Sequence, residues 1–307
     1  MPLRETALPR VGLVILTWNC VEAARRCLES VKKLTYPSLD VIVVDNASTD
    51  RTEEMVRTAY PGYEFIQTGA NLGYTGGNNR GIERALSRGA AYVVVMNPDT
   101  VIANPSFVEA LAGFMEKHTD VGIAGPRVFL RTVEKVQNTV LFPPGLGRNI
   151  VHWFRFRINP DFAHRSGDQV LDAEVLNGVC VMLRATALQQ VGLFDESMFM
   201  YIEDADLDYR MRRGGWRIVY VPVDSIVHEQ KAEGYDLVGN VSFLLHRNSV
   251  YYLKKTGRPF QAWGFAALSV VLSLVRGHLR FSRSLFRAYR ELLIGHESSL
   301  IKGQPWL

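Results

Sequence analysis

Val41-Ile-Val-Val-Asp-Asn-Ala-Ser-Thr-Asp50 decides the fold. Four consecutive apolar residues, three of them valine, leave no polar face and describe a strand buried on both sides. Such strands belong to parallel sheets covered by helices. The run ends on an acid, Asp45, and passes into a small polar turn. Ser48 and Asp50 suit the cap of a following helix, expected over residues 52–58.

The pattern repeats outward from there. Upstream, Val11-Gly-Leu-Val-Ile-Leu16 is a second buried run, ending at Thr17-Trp-Asn19. Val21, Ala24, Cys27, Leu28, Val31 and Leu34 follow at helical spacing, and Tyr36-Pro37 stops that helix. Downstream, residues 64–67 form a third short strand. Gly73 to Gly77 reads as a glycine-rich turn opening a helix over residues 78–88. Tyr92-Val-Val-Val-Met96 is a fourth strand, ending at Asn97-Pro98-Asp99. Strand and helix alternating at this spacing predict an α/β, Rossmann-like, mostly parallel sheet flanked by helices. Ligands of such sheets bind beyond the carboxyl ends of the strands. The polar clusters at those ends are therefore expected to line one crevice.

Residues 127–172 are less regular and carry the basic-aromatic stretch His152-Trp-Phe-Arg-Phe-Arg157. A long insertion is expected there. Residues 170–183 are strand-rich, 204–213 helical and 217–221 a strand. His228 then follows a proline-containing bend. The chain from Phe243 onward is expected to be mostly helical.

Composition narrows the class. In 307 residues, 47% are hydrophobic and 21% charged, enough for a sizeable core. Three cysteines, Cys20, Cys27 and Cys180, make neither a disulfide framework nor a metal-ligand spacing, which fits a reducing cytoplasmic setting. Residues 1–10 have no signal-peptide core. The longest apolar stretch, Ala262 to Val275, is shorter than the roughly 20 residues of a spanning helix. The net charge of +4 is uneven: ten Lys/Arg against two Glu follow Phe243, so the rest of the chain is net acidic.

Several segments taken in order resemble the inverting family 2 glycosyltransferases of GT-A fold, especially their bacterial rhamnosyltransferase-like branch. They are Leu16-Thr-Trp-Asn19, Val43-Val-Asp-Asn-Ala-Ser-Thr-Asp50, Asn71-Leu-Gly-Tyr-Thr-Gly-Gly-Asn-Asn79 and Met96-Asn-Pro-Asp-Thr100. Asn177-Gly-Val-Cys180, Phe194-Asp-Glu196 and Tyr201-Ile-Glu-Asp-Ala-Asp-Leu-Asp208 continue the series. The resemblance implies a glycosyltransferase domain over residues 1–242, with a nucleotide-binding half (1–126) and an acceptor or catalytic half (127–242). Residues 243–307 form a basic helical extension.

The chemistry of each segment follows. Asp45, by resemblance, contacts the nucleotide, and Thr17, Asn19 and Asn46 stand beside it. Asn71, Gly76 and Asn78 are expected to line the donor site, the glycines allowing close backbone approach. No Gly-Lys-Ser/Thr follows them, so this is no Walker loop. The first strand also lacks the dinucleotide glycine fingerprint, which disfavours a nicotinamide oxidoreductase. Asn97-Pro98-Asp99 stands where the family carries an Asp-x-Asp metal motif. Asp99 is then the candidate ligand for Mg²⁺ or Mn²⁺ on the diphosphate, and Asn97 a donor contact. By resemblance His228 joins the metal, and Arg247 reaches the diphosphate. Inverting transfer needs a general base for the acceptor hydroxyl. The acidic motif supplies Asp204, with Glu203 and Asp206 in support, while Asn177 and Gly178 leave room for the sugar.

Arg276, Arg280, Arg283, Arg287 and Arg290 recur at steps of four and three, one stripe on a helix. With the apolar segment before it, the stripe predicts interfacial helices on an anionic membrane. No nucleic-acid-binding motif accompanies it. The expected partners are therefore a nucleotide-sugar donor, a polyprenyl-linked acceptor and the inner face of the cell membrane, with homo-oligomerisation open. The branch resemblance favours dTDP-L-rhamnose as donor over a UDP- or GDP-sugar. A non-catalytic nucleotide-sugar sensor is disfavoured by the presence of both Asp99 and Asp204.

Overall fold

The computed structural model describes residues 8–145, 167–230, 238–275, 277 and 279–294. Strands β1 (Val11–Thr17), β2 (Leu39–Asp45), β3 (Glu64–Gln67) and β4 (Tyr92–Met96) pair in parallel in the order β3-β2-β1-β4. Their carboxyl ends share one edge of the sheet. Helices α1 (Val21–Val31), α2 (Thr52–Ala59) and α3 (Gly73–Ser87) connect them. Beyond β4 the sheet continues with β11 (Cys180–Arg184), β6 (Val121–Leu130), β12 (Arg217–His228) and β5 (Thr100–Ile102). β11 runs antiparallel to both β4 and β6, whereas β12 runs parallel to β6.

Alternation along the strands builds two cores. Leu13, Ile15, Val43 and Val94 point to the face covered by α1 and by α4 (Phe107–Lys117). Val14, Ile42, Val44, Val93 and Val95 point to the face covered by α3, α5 (Ala185–Val191) and α6 (Glu203–Arg213). A buried parallel strand must be apolar on both sides, which is why the runs lack any polar alternation. Cys20, Cys27 and Cys180 are free and buried, and burial pushes the Cys20 and Cys27 thiols up to about 12.

The remaining helices, α7 (Val238–Lys255), α8 (Pro259–Val275) and α9 (Leu279–Ile294), share a third core. In it Tyr252, Ala262, Phe265, Leu285 and Tyr289 pack with Val175, Met198 and Ala205 of the preceding chain. Among the described residues no helix is long and apolar enough to cross a membrane.

Four local expectations change. The helix expected to start at Asn78 starts at Gly73, so the glycines lie inside it. The strand expected to stop at Val221 runs on to His228, with register shifts around Pro222 that absorb its missing N–H. The first helix ends at Val31, short of Leu34. The irregular insertion is partly strand: β6 extends to Leu130, β7 (Val136–Gln137) pairs with it, β8 (Val140–Leu141) pairs with β10 (Val175–Leu176), and β9 (Leu171–Asp172) pairs with β12. The stretch from His152 to Arg157 lies outside the described residues.

Candidate active site

At the ends of β1 and β2 the polar residues bond to one another. Asp45 is fully buried. Its Oδ1 accepts from the Thr17 hydroxyl at 2.9 Å and the Ser48 hydroxyl at 2.5 Å. Its Oδ2 accepts from Ser48 N at 2.9 Å and Gln67 Nε2 at 3.0 Å. A carboxylate offers about four acceptor sites, so this one is saturated by protein donors. Ser48, rather than capping α2, ties Asp45 to Asn19, whose backbone N donates to its hydroxyl at 2.8 Å. Asp50 does meet the start of α2, accepting from Thr52 N at 3.0 Å.

The residues expected at the donor site are largely bonded to one another. Thr17 and Asp45 do not present free side-chain atoms; they brace the two strand ends. Asn19 Oδ1 accepts from Thr49 N at 2.7 Å. Asn46 is buried and donates to Gly73 O at 2.8 Å and Asn71 Oδ1 at 3.3 Å, so both asparagines pin the entrance of α3. Asn78 is buried within α3 and donates to Tyr74 O at 2.9 Å. Gly76 and Gly77 serve packing: a Cβ on Gly77 would stand 2.3 Å from Leu16 Cδ1, and one on Gly76 2.7 Å from Leu72 Cβ. Close approach is needed here, but to the neighbouring chain.

At the end of β4 the arrangement is open. Asn97, Pro98 and Asp99 are partly exposed. Asn97 N donates to Val179 O at 3.0 Å, so the β4 end lies directly beside Asn177-Gly178-Val179. Glu229 N donates to Asp99 O at 2.9 Å, which joins the end of β12 to the same place. There His228 Nε2 lies 3.2 Å from Asp99 Oδ2, and His228 Nδ1 lies 2.8 Å from Gln137 Oε1. The His228 ring and the Asp99 carboxylate thus stand side by side at the strand ends, and both are residue types that can ligate a divalent ion. Among the described residues no third His, Cys, Asp or Glu joins them, so water and phosphate oxygens would complete the shell. Gln137 is a residue that sequence reading missed, because it sits in the insertion expected to be irregular.

Across the β4–β11 contact lies the acidic motif. Asp204, in the first turn of α6, accepts from Gly178 N at 3.0 Å through Oδ2. Tyr74 O–H donates to Gly178 O at 2.9 Å. Gly178 has no room for a side chain: a Cβ would stand 2.5 Å from Asp204 Oδ1 and 2.7 Å from Tyr74 Oη. Burial lifts Asp204 to about 6. Burial and the neighbouring Asp204 lift Glu203 well above the usual carboxylate range.

The other acids of the motif are committed to structure. Asp206 is fully buried and pairs with Arg210 Nε at 2.8 Å and Lys255 Nζ at 2.8 Å. Lys255 also meets Asp195 Oδ2 at 2.6 Å, which ties the Phe194-Asp195-Glu196 segment to α6. Asp208 accepts from Leu176 N at 2.7 Å, and burial raises it well above the usual range. Asn177 accepts from Val179 N at 3.1 Å and so shapes the turn that carries Gly178.

The loop entering α6 is bent hard. Phe199, Tyr201 and Ile202 all have positive φ, at 62°, 70° and 71°. Bulky and β-branched residues rarely adopt that region. Asn248 of α7 is fully buried, and its Nδ2 lies 2.8 Å from Met198 O and 2.9 Å from both Met200 O and Tyr201 O. Its neighbour Arg247, expected at the diphosphate, is instead buried and donates to Ser197 O at 2.8 Å. The signal for Asn248 was its place beside Arg247. Nothing in the sequence said which of the two would hold the loop.

The strand ends of a mostly parallel sheet thus carry an acid–histidine pair, beside a carboxylate raised by burial under a small-residue turn. Residues 13–191 match the model of glycosyl transferase family 2, and the chain belongs to that family. It is 31% identical to the N-acetylglucosaminyl-diphospho-decaprenol L-rhamnosyltransferase of Mycobacterium tuberculosis, over 92% of this chain and 96% of that one. It is 25% identical to the low-salt glycan biosynthesis hexosyltransferase Agl10 of Haloferax volcanii, over 75% of this chain and 71% of the other. Among solved structures, the mannosyltransferase PcManGT of Pyrobaculum calidifontis, in complex with GDP-Man and Mn²⁺, superimposes with a TM-score of 0.59. That match has 17% identity and covers 94% of this chain and 88% of that one, so it speaks to the fold.

Proposed function

We propose that this glycosyltransferase moves L-rhamnose from dTDP-L-rhamnose, with inversion, onto a polyprenyl-diphosphate-linked saccharide. The reaction is a step in cell-surface polysaccharide synthesis at the inner face of the cell membrane. The observation that carries the chemistry is Asp204, lifted to about 6 and held against the Gly178 amide. The near-full-length likeness to a rhamnosyltransferase acting on a decaprenol-linked sugar supports the choice of substrates.

In this reading the acceptor hydroxyl lies against Asp204 and attacks the anomeric carbon from the face opposite the diphosphate. The bond from that carbon to the diphosphate oxygen breaks as the new glycosidic bond forms. The hydroxyl proton passes to Asp204, and the nucleoside diphosphate leaves. Such a base contributes about 10²–10⁴-fold. Asp99 and His228 would hold Mg²⁺ or Mn²⁺, which supplies charge stabilisation to the departing diphosphate. Gln137 fixes the ring of His228. Asn97, partly exposed at the β4 end, is placed to meet a sugar or ribose hydroxyl. Residues 1–242 form the transferase domain in this account, and residues 243–307 the extension.

The test is a donor panel. dTDP-L-rhamnose, UDP-sugars and GDP-sugars are each incubated with the protein, Mn²⁺ or Mg²⁺, and N-acetylglucosaminyl-diphosphoprenol. Mass spectrometry of the lipid product is expected to show one added deoxyhexose with the first donor alone. Transfer from a UDP- or GDP-sugar only would replace the donor assignment. Nucleotide-sugar binding with no product from any donor would favour a sensor.

A further inference from the structure

Helix α8 is apolar on its exposed side as well as on its buried one. Its buried side carries Ala262, Phe265, Ala266, Ser269 and Ser273. Its exposed residues are Pro259, Phe260, Gln261, Trp263, Ala267, Val271, Leu274 and Val275, of which Gln261 alone is polar. At about 100° per residue Phe260, Trp263, Ala267, Val271, Leu274 and Val275 fall within one arc of roughly 120°, with Gln261 outside it. The two serines lie on the side packed against the protein. Phe260 is 90% exposed and Val275 78%. Scattered apolar residues on a surface need no explanation, but a continuous apolar stripe along one helix does.

The surroundings say what covers the stripe. No Asp, Glu, Lys or Arg occurs within α8. On the neighbouring α9, Phe286 is 62% exposed and stands between the exposed Arg283 and Arg290, at spacings that place all three on one helix face. Leu285, Tyr289 and Leu292 of α9 face the shared core instead. The charge from Phe243 onward is strongly positive. Exposed arginines on a helix packed beside an apolar face match anionic headgroups above acyl chains, whereas a partner protein surface would not require that charge sign. At about 1.5 Å per residue, a 17-residue helix is roughly 25 Å long, short of the ~30 Å hydrocarbon core. It suits lying along the interface.

We infer that the outward face of α8, with Phe260, Trp263, Val271, Leu274 and Val275, seats in the interface of an anionic bilayer. Arg283, Phe286 and Arg290 extend that contact. The arginine stripe expected from sequence is then a border to the contact rather than its centre. Arg276 and the side chains of Arg280 and Arg287 lie outside the described residues. The inference rests on the lipid-linked acceptor of the proposed function for its purpose, but not for its test.

The experiment is vesicle flotation with the full chain and Phe260→Glu/Val275→Glu, both exposed positions remote from the site. Phosphatidylcholine vesicles with and without about 30% phosphatidylglycerol are compared, a fraction at which the surface attracts basic residues. Wild type is expected to float with the anionic vesicles and the double variant to partition at least about tenfold more weakly. Trp263 emission is expected to be quenched by brominated lipid, and Trp263→Phe to lose that quenching. Equal flotation of the variant, or no flotation of wild type, overturns the inference. So does a wild-type dimer that the variant turns into a monomer, since the stripe would then cover a second copy. Transfer to a water-soluble short-chain acceptor is measured alongside and is expected to be equal in both proteins. Absence of transfer with intact flotation would sink the proposed function and leave the membrane face standing.

Discussion

The Gly178 amide donates to Asp204 Oδ2 at 3.0 Å, while the Gly178 α-carbon leaves no space for a Cβ, which would stand 2.5 Å from Asp204 Oδ1. One residue thus both orients the carboxylate and keeps clear of it. Gly178→Ala should push Asp204 out of position. Overpacking of this kind costs about 1–3 kcal/mol of stability. Steady-state kinetics should show kcat falling by at least about tenfold, with donor KM little changed, because the misplaced group meets the acceptor and not the nucleotide. An alanine variant with wild-type kcat would deny Gly178 this part.

The pH dependence follows from burial. Asp204 titrates at about 6 in the folded protein. A base must be ionised to take a proton, so kcat should fall as pH drops through about 6 and level off above it. Stability runs the opposite way. In the unfolded chain an aspartate titrates near about 3.9, so between roughly pH 4 and 6 the folded state holds more protons. Folding stability therefore declines as pH rises through that window. Asp204→Asn removes this penalty and should be more stable than wild type at pH 7, by an amount of order 1–3 kcal/mol. Urea denaturation at pH 7 and near pH 4 would show whether the advantage is present at the first and gone at the second.

Much of this site was legible in the sequence, and the reasons for the rest are physical. Buried parallel strands must be apolar on both faces, so β1, β2 and β4 stood out, and their polar ends share one edge of the sheet. Asp204, Asp99 and His228 were singled out because their residue types suit the chemistry, and the fold brings the last two within 3.2 Å. Hydrogen-bond saturation is invisible in one dimension. Asp45 and Thr17 looked like ligand contacts, yet they bond each other across 28 positions of sequence. Gly76 and Gly77 are a related case: glycine signals close approach but not what approaches. Gln137 and Asn248 act from elements distant in sequence from the groups they hold. Tyr74 stood inside a quoted motif, but its reach to Gly178 depends on the packing of α3.

Gln137 should tune the metal without touching it. Releasing His228 Nδ1 by Gln137→Ala lets the ring turn, and loss of such a supporting partner typically weakens metal affinity about 10–100-fold. Titration of Mn²⁺ against donor binding, followed by calorimetry, should show the midpoint rising by that factor. His228→Ala should raise it further. Unchanged midpoints in both variants would remove His228 from the metal site.

Asn248 should act on turnover through the loop. Asn248→Ala removes the two N–H donors that the Met198, Met200 and Tyr201 carbonyls share, the first of them in a buried bond, and an unpaired buried group costs about 1–3 kcal/mol. The positive-φ segment from Phe199 to Ile202 would then relax and move the start of α6. The expected result is a kcat loss with donor KM retained, and a shift of the acid limb of the pH profile as Asp204 gains solvent. A uniform loss of folded protein with normal kcat per active molecule would reduce Asn248 to a stability role.

The central claim is that Asp204 takes the proton of the acceptor hydroxyl. Asp204→Asn keeps the size of the side chain and an oxygen for the Gly178 amide. Its turnover with dTDP-L-rhamnose and N-acetylglucosaminyl-diphosphoprenol, measured at pH 8 beside calorimetric donor affinity, decides the matter. The account predicts a kcat reduced about 10²–10⁴-fold with donor affinity within a few-fold of wild type. Turnover close to wild type, with binding intact, would contradict it.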